Sequence, residues 1–398
     1  MSKNIIKNIN KKVFENFFSS KSSGGILLLV CVILSLGIAN SSLNEMFTSA
    51  LQTPFGYESE SLHLRYPLLI WINDGLMAIF FLYVGLEIKR ELVEGELSSL
   101  KKATLPIFAA IGGMLLPALI YSLVNNDPAT EHGWGIPMAT DIAFAIAILG
   151  LLGDKVPNAL KIFLTALAIV DDLGAIVVIA FFYTQELHTE YIIPIIGALA
   201  VLGLLNFFNV KTIFLYLIPG AFLWYFVHGF GVHATIAGVL TAFFLPTTPD
   251  ATESPLEKLE HSLSIPVSFI IMPIFALANT NITFEAGMVD GLINPIGMGI
   301  ILGLLLGKTF GISLMSFLAV KLKFSNLPEN TSWSQIIGAG ALAGIGFTMS
   351  IFIALLSFGE AEFRSQAKFS ILVASLLAGI IGYSILNFIN KKKVRQVY

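Results

Sequence analysis

The sequence predicts an all-α polytopic membrane protein with about twelve transmembrane helices. Of the 398 residues, 56% are hydrophobic and only 12% are charged, whereas roughly 25% of residues are charged in soluble domains. The mean hydropathy is +0.82, and apolar stretches of about 20 residues, long enough to cross a bilayer, recur along the chain. The single cysteine, Cys31, excludes an internal disulfide and a cysteine-based metal site.

The chain divides into a basic arm, one membrane domain and a basic tail. We expect residues 1–23 to form an amphipathic arm on the cytoplasmic surface, 24–389 the transmembrane domain, and 390–398 a cytoplasmic tail. Twelve apolar runs in the membrane domain are predicted to span the bilayer. These runs are 24–40, 67–88, 103–124, 134–152, 159–183, 191–208, 212–227, 232–248, 264–284, 294–318, 336–357 and 366–389.

The distribution of basic residues predicts the orientation. An even number of spans places both termini on one side of the membrane. Of the 23 Lys and Arg residues, 19 fall in the arm, the tail and alternate loops, and only Arg65, Arg364 and Lys368 fall in the other loops. Because cytoplasmic loops carry an excess of basic residues, both termini are predicted to be cytoplasmic. The longest external loop, at 40–66, is expected to contain a short strand pair around 53–56.

Two of the predicted spans carry residues that interrupt helices. Pro137 lies in the fourth span, and four glycines lie in the eleventh, at positions 338, 340, 344 and 346. Both residue types weaken helix continuity. Interrupted spans at corresponding places in two halves indicate an inverted structural repeat whose two discontinuous helices cross near the midplane. The alternative is that the glycines only permit close helix packing.

Five ionisable residues fall at membrane depth, and these predict the site. A charge at the bilayer centre costs at least ~2.5–3.5 kcal/mol, so the adjacent pair Asp171 and Asp172 requires a functional explanation. Asp74 lies early in the second span, where it either lines an ion-access funnel or caps the helix end. Asp141 follows Thr140 in the interrupted fourth span. There it either compensates a helix N-terminal dipole, which we favour, or joins the ion site.

The fifth ionisable residue, Lys308, is the basic partner available to these carboxylates. It lies beside glycines at every fourth position, a stripe that permits very close helix approach. Consecutive aspartates point about 100° apart on a helix, so one is expected to face a cation cavity and the other a different partner. We expect Lys308 to be the counter-ion of an aspartate, and the alternative is a purely structural ion pair. The glycines of the stripe are Gly299, Gly303, Gly307 and Gly311.

These residue types suit the exchange of a cation for protons. Carboxylates, hydroxyls and freed carbonyls are the hard oxygen ligands that Na⁺ prefers, and Asp172, Thr140 and Asp141 can supply them. Burial favours the neutral form of a carboxyl group, so protons compete with the cation near neutral pH. If two protons are released for one monovalent cation, the cycle moves net charge across the membrane.

The chain resembles the NhaA-type family of bacterial Na⁺/H⁺ antiporters over nearly its whole length. The matching segments are WINDGLMA (71–78), GLEIKREL (85–92), ATDIAFA (139–145), VDDLG (170–174), GVHATIAG (231–238), LGK (306–308) and GIGFTMSIF (344–352). The resemblance implies a twelve-helix antiporter that expels Na⁺ or Li⁺ and admits more protons. It implies that Asp172 is the central cation ligand, with Thr140 and Asp171 also binding Na⁺. Asp171 is expected to pair with Lys308, and Thr140 and Asp141 to lie where the broken helices cross.

The resemblance also implies regulation and assembly. It points to a pH-sensing set, Glu87, Glu91, Glu260 and His261, together with His233. On the residues alone, His233 is expected to be a packed polar residue and the glutamates a solvated loop face. A β-hairpin in loop 45–60 implies a homodimer in the bacterial inner membrane. Na⁺, Li⁺ and H⁺ are transported, and no cofactor, enzyme activity or nucleic-acid partner is expected.

The sequence departs from the family pattern at two positions. Ser264 stands where the family usually has a second histidine, and Thr309 replaces the usual proline after Lys308. Both departures bear on the pH threshold more than on the transport reaction. Two other classes compete: a cation-coupled symporter, which needs an organic-substrate site, and an intramembrane aspartyl protease, which needs two facing aspartates from different helices.

Overall fold

The computed structural model describes residues 21–59, 63–184, 187–248, 253–285 and 287–397. Residues 1–20 of the arm predicted at 1–23 lie outside this part of the chain. The helices, numbered in chain order, are α1 Lys21–Ala39, α2 Asn44–Gln52, α3 Leu68–Val93, α4 Leu100–Val124, α5 Ile142–Leu151, α6 Asn158–Phe182, α7 Ile192–Phe207, α8 Phe214–Phe230, α9 Thr235–Phe244, α10 Pro255–Asn279, α11 Pro295–Lys321, α12 Trp333–Ala343, α13 Phe347–Ser357 and α14 Ala361–Val397. The tail predicted at 390–398 continues α14 up to Val397.

Eight helical segments of the described chain are long and apolar enough to cross a membrane. The number rises to ten if each of two bent helix pairs, α1 with α2 and α12 with α13, is one span. Helices α8 and α9 are apolar but shorter. The all-helical polytopic class is therefore confirmed, whereas the count of twelve stays a prediction.

The outward surface of the bundle is apolar as well as its interior. On α4, Leu115, Leu119 and Leu123 are 65%, 55% and 68% exposed. Inside, one large buried hydrophobic cluster surrounds α6, and a smaller one joins α7, α8 and α9 to α3. Exposed leucines with backbone hydrogen bonds satisfied inside helices are what hydrocarbon tolerates, so this surface faces lipid.

The loop between α2 and α3 contains the predicted strand pair. Strand β1 (Pro54–Phe55) pairs antiparallel with β2 (Tyr66–Pro67), with Phe55 opposite Tyr66. The indole of Trp71, at the start of α3, donates to the Phe55 carbonyl at 2.9 Å. The expectation of strand structure around 53–56 is confirmed, and this hydrogen bond ties the hairpin to the bundle.

Glycines bring α4 and α11 into backbone contact. A Cβ on Gly311 would lie 2.1 Å from the Gly112 carbonyl oxygen, and a Cβ on Gly307 would lie 2.8 Å from the Pro117 Cα. Neither position admits a side chain, because backbone atoms cannot retreat as the end of a flexible side chain can. The close approach expected from the glycine stripe is confirmed, and it carries Lys308 to the interior.

The chain leaves helical geometry in two places that touch each other. Residues 131–138 form a 3₁₀ turn that contains Pro137, and 139–141 are not helical before α5 begins. Likewise 344–346 separate α12 from α13, whose axes differ by 47°. The Asp141 amide donates to the Ile345 carbonyl at 2.7 Å. The four glycines were expected either to interrupt the helix or only to permit close helix packing, and each interpretation holds for two of them. Gly344 and Gly346 lie at the interruption, whereas Gly338 and Gly340 pack inside α12.

Candidate ion-binding site

The two adjacent aspartates occupy the middle of α6. Asp171 and Asp172 are 1% and 2% exposed, and the helix runs unbroken through both. One oxygen of each carboxylate, Oδ1, is buried without a hydrogen-bond partner among the described residues. A carboxylate oxygen in such surroundings is costly unless an ion or a proton satisfies it.

Asp171 faces Lys308. The Lys308 side chain is completely buried, and its Nζ donates to Asp171 Oδ2 at 2.5 Å and to Thr140 Oγ1 at 2.9 Å. The Thr140 hydroxyl in turn donates to the Ala343 carbonyl at 2.9 Å. A π-type turn, Gly303–Gly307, immediately precedes Lys308 in α11. The ammonium therefore joins α6, α11 and the non-helical segment 139–141, and through Thr140 it reaches the C-terminal end of α12.

Asp141 lies at two helix N-termini at once. Its side chain caps α5 by accepting from the Phe144 amide at 3.0 Å. It also accepts from the Thr348 amide at 3.2 Å, at the start of α13, and from the Thr348 hydroxyl. A carboxylate there compensates the positive ends of both helix dipoles and satisfies otherwise unpaired N–H groups. This is the role that we favoured for Asp141 from the sequence.

A cavity of about 420 Å³ extends to the aspartates. Asp172, Thr140 and Asp141 line it together with Glu87 and Ser264. Asp171 is not among the lining residues that the structure describes, because its carboxylate turns to Lys308. The two consecutive aspartates thus have different environments, and we call this cavity the ion cavity.

The site carries excess negative charge. Asp141, Asp171 and Asp172 contribute three carboxylates, and Lys308 contributes one ammonium group, all of them buried. When every group is ionised, the set therefore holds two uncompensated negative charges. A monovalent cation or protons can reduce that charge, and carboxylate, hydroxyl and carbonyl oxygens surround the position.

Most of the predicted pH-sensing residues gather at one end of the bundle, here called the Arg90 end. Nε of Arg90 donates to both Glu260 oxygens, at 3.1 and 2.8 Å, and Nη1 donates to Glu91 at 2.7 Å. Glu87 and His261 line the ion cavity, and the exposed His261 contacts Glu253 at 3.0 Å. The alternative of a solvated loop face is wrong for Glu91 and Glu260, whose side chains are 14% and 9% exposed on helices.

His233 and Asp74 lie at the opposite end, here called the Asp74 end. His233 is half-buried near the Tyr183 backbone at the end of α6, away from the Arg90 end. Asp74 lies inside a π-type turn, Trp71–Leu76, within the continuous helix Leu68–Val93 and not at its end, so the helix-cap alternative is wrong. Its carboxylate is 3.8 Å from His228. The interpretation of the sequence missed both Arg90 and His228 as site residues, because Glu260 and Asp74, which they contact, lie far away along the chain.

Comparison with known proteins identifies the family. The sequence model of the family described as Na⁺/H⁺ antiporter 1 matches residues 15–386. The Na(+)/H(+) antiporter NhaA 2 of Flavobacterium johnsoniae is 60% identical over 98% of this chain and 96% of its own. The NhaA proteins of Shewanella sp. (strain ANA-3) and Escherichia coli O157:H7 are 51% and 49% identical, over 96% and 94% of this chain and 99% and 97% of their own.

The chain belongs to the NhaA family of Na⁺/H⁺ antiporters. Members of the NhaA family are named as antiporters, so they are transporters rather than enzymes. The apolar helices and the bacterial NhaA relatives together make this chain a multi-pass protein of the bacterial inner membrane.

Proposed function

We propose that the chain is an electrogenic antiporter that expels Na⁺ or Li⁺ and admits a larger number of protons. The observation that carries this proposal is the Asp172 carboxylate, which lines the ion cavity while its Oδ1 is buried without a hydrogen-bond partner among the described residues. A buried anion persists only when it is paired, coordinated or neutralised. The family points to Na⁺ and H⁺ as the two species that fill this role in turn.

Competition between the two ions drives the exchange. Na⁺ binds to Asp172 with help from the Thr140 hydroxyl and from carbonyls freed at the interruptions, and a proton on Asp172 removes the negative charge that attracts it. A site that holds one or the other, and that opens to each side in turn, couples their movements. Asp141 stabilises the helix N-termini beside the ion and contributes oxygen if the capping bonds shift.

The pair of Asp171 and Lys308 provides the second proton. When Lys308 releases a proton, its neutral amine no longer holds Asp171, and the carboxylate becomes an additional Na⁺ ligand. When Lys308 takes up a proton again, the ammonium group pairs with Asp171 and replaces the cation. One Na⁺ against two protons moves one net charge per cycle. The membrane potential then contributes about 2.3 kcal/mol per charge per 100 mV.

The architecture we propose has twelve spans, both termini in the cytoplasm and two discontinuous helices that cross near the midplane. The contact of Asp141 with Ile345 supports the crossing, because it joins the two non-helical segments directly. The excess of Lys and Arg at the Arg90 end supports a cytoplasmic position for that end. Transport would proceed by rocking of one part of an inverted repeat against the other.

Regulation and assembly complete the proposal. The carboxylates at the Arg90 end, with His261, would sense cytoplasmic pH, and Asp74 would line the external access funnel. His233 would respond separately, since it lies at the Asp74 end. A second copy of this chain would pair through loop 45–60, where β1 is exposed. The pH-sensing residues of this proposal are Glu87, Glu91, Glu260, His261 and His233.

Proteoliposomes that hold a pH gradient test the transport reaction. Internal pH is followed with a trapped dye after Na⁺, Li⁺ or K⁺ is added, with wild type beside Asp172→Asn. We expect Na⁺ and Li⁺ to change internal pH in wild type and not in Asp172→Asn. An imposed membrane potential should change the wild-type rate. Asp290→Asn, in an exposed 3₁₀ turn, is the matched control and should transport normally.

Each result has a distinct meaning. Exchange that survives Asp172→Asn would move the central ligand elsewhere, with Asp141 the next residue to substitute. A wild type that gives no response to any cation between acidic and alkaline pH would contradict the antiporter proposal itself. Exchange that ignores the membrane potential would leave antiport in place but contradict the unequal stoichiometry.

A further inference from the structure

A second charged pair lies at the Asp74 end of the bundle, away from the ion-binding site. Nδ1 of His228, near the C-terminal end of α8, is 3.8 Å from Oδ2 of Asp74 in α3. Both side chains reach the surface, with 27% and 24% exposed. A protonated imidazole at this distance forms an ion pair with the carboxylate, whereas a neutral imidazole leaves the carboxylate's charge available to a cation.

Aromatic residues hold the imidazole in this position. Trp224, one helical turn earlier, stacks on His228 with centroids 5.9 Å apart and planes 13° apart. The Trp224 indole also donates to the Asp74 carbonyl at 3.2 Å, so it ties α8 to α3. Tyr66 meets the edge of the imidazole at 5.1 Å. With rings on two sides, the imidazole has little freedom to turn away from Asp74.

The other titratable groups around this pair are few. Burial raises the pKa of Tyr66 above its ordinary value, so its phenol remains neutral. The His233 imidazole lies near enough to interact with His228, and Glu58 is engaged 3.8 Å from His63. Asp74 is thus the carboxylate in direct reach of His228 among the described residues. Tyr66 interacts in turn with Tyr191, Tyr225 and Glu58, and Tyr191 packs against Gly229, next to His228.

We propose that His228 makes Na⁺ release depend on external pH by pairing with Asp74 when it is protonated. The inference rests on the proposed antiport and on the external position of the Asp74 end. In acidic medium, the positive imidazole neutralises Asp74 and repels a cation that approaches the access funnel. In alkaline medium, the imidazole is neutral, and Asp74 attracts the cation on its outward path. Histidine suits this switch, because its charge changes between about pH 5 and 8.

Vesicles of known orientation provide the test. Right-side-out vesicles are loaded with labelled Na⁺ at a fixed internal pH, and efflux is measured while the external pH is varied from about 5 to 8, the range over which histidine changes charge. We expect the half-inhibitory external pH of wild type to fall by about half a unit in His228→Gln, as loss of a partly exposed ion pair requires. In an Asp74→Asn background, His228→Gln should cause no further shift.

A matched control comes from the same end of the molecule. The exposed imidazole of His188 lies 3.7 Å from Glu190, nearly the separation of the proposed pair, and His188→Gln should leave the external pH profile unchanged. The inference is overturned if His228→Gln leaves the profile unchanged, if its shift persists in Asp74→Asn, or if only internal pH reveals the shift. A complete absence of Na⁺ efflux from wild type at every pH would instead contradict the proposed function.

Discussion

The two aspartates of α6 differ in their partners rather than in their depth. Asp171 accepts from the buried Lys308, whereas Asp172 faces the ion cavity with one oxygen unpaired among the described residues. Two charges taken out of water together are tolerable when each hydrogen-bonds the other, and either becomes costly when its partner is removed. This difference supports the ion-binding role proposed for Asp172 and the charge-balancing role proposed for Asp171.

At the residue scale, we predict that Lys308→Ala destabilises the protein and weakens proton coupling. Removal of the ammonium leaves Asp171 buried and uncompensated, a change that costs about 3–5 kcal/mol in the free energy of unfolding. Thermal unfolding in detergent measures the loss, and the protons moved per Na⁺ in proteoliposomes measure the coupling.

Two controls separate the ion pair from general damage. Lys211→Ala removes an exposed lysine and should change stability by no more than about 0.5 kcal/mol. The double variant Asp171→Asn with Lys308→Met removes both charges and should regain part of the lost stability. Proton coupling that is unchanged in Lys308→Ala would show that the pair is purely structural.

At the element scale, the two interruptions place helix ends at buried positions inside the bundle. Asp141 compensates the N-termini of α5 and α13, and Lys308 reaches the C-terminal end of α12 through the Thr140 hydroxyl. A negative charge thus faces the positive N-terminal ends of α5 and α13, and a positive charge faces the negative C-terminal end of α12. The same charges that stabilise the broken backbone also surround the proposed ion site.

We predict that the contact of α4 with α11 does not tolerate one methyl group at Gly311. The new Cβ in Gly311→Ala would lie 2.1 Å from the Gly112 carbonyl, so the helices must separate and move Lys308. The cost is about 1–3 kcal/mol or more, as for other overpacked sites. Thermal unfolding and Na⁺-evoked pH change should both show it.

Gly197→Ala in α7 is the matched control for this substitution. Apart from the backbone of α7 itself and the two neighbouring residues, no heavy atom of the described residues lies within 4 Å of the Cβ position at Gly197. Alanine there should therefore be neutral or stabilising by up to about 1 kcal/mol, the ordinary preference of a helix for alanine over glycine. Equal destabilisation by both substitutions would mean that backbone contact at Gly311 is unimportant.

At the scale of the whole molecule, the ion cavity relates the site to the Arg90 end. Glu87, His261 and Ser264 share its wall with Asp172, so groups from the Arg90 end and the buried carboxylate meet the same space. The ion cavity thus lies between the buried carboxylate and residues of the Arg90 end. Alternating access requires a second conformation in which the cavity opens toward Asp74.

We predict that a thiol placed at Ser264 reacts from the cytoplasmic side. In a Cys31→Ser background, Ser264→Cys should be labelled by a membrane-impermeant maleimide in inside-out vesicles and spared in right-side-out vesicles. Ser316→Cys, at a completely buried position of α11, is the control and should remain unlabelled from either side. Labelling of Ser264→Cys from the outside alone would reverse the proposed orientation.

The sequence by itself determined the class of protein and the places where the helices are interrupted. Composition and apolar length depend on consecutive residues, so they reveal a membrane bundle without any tertiary information. Pro137 and the glycines at 344 and 346 act on their own backbone segments. The structure has non-helical residues at 139–141, just after Pro137, and at 344–346, which include both glycines. The glycine stripe beside Lys308 likewise predicted a close packing surface, although not which helix would meet it.

Only the tertiary structure decided which charges meet. Lys308 and Asp171 are 137 positions apart, and Arg90 and Glu260 are 170 apart, so local pattern cannot pair them. The residues alone indicated that one aspartate of α6 faces the cavity, but the choice of Asp172 depends on where α11 brings its ammonium. Hydrogen bonds and charge pairing act over a few ångströms in space, and the folded chain alone determines those distances.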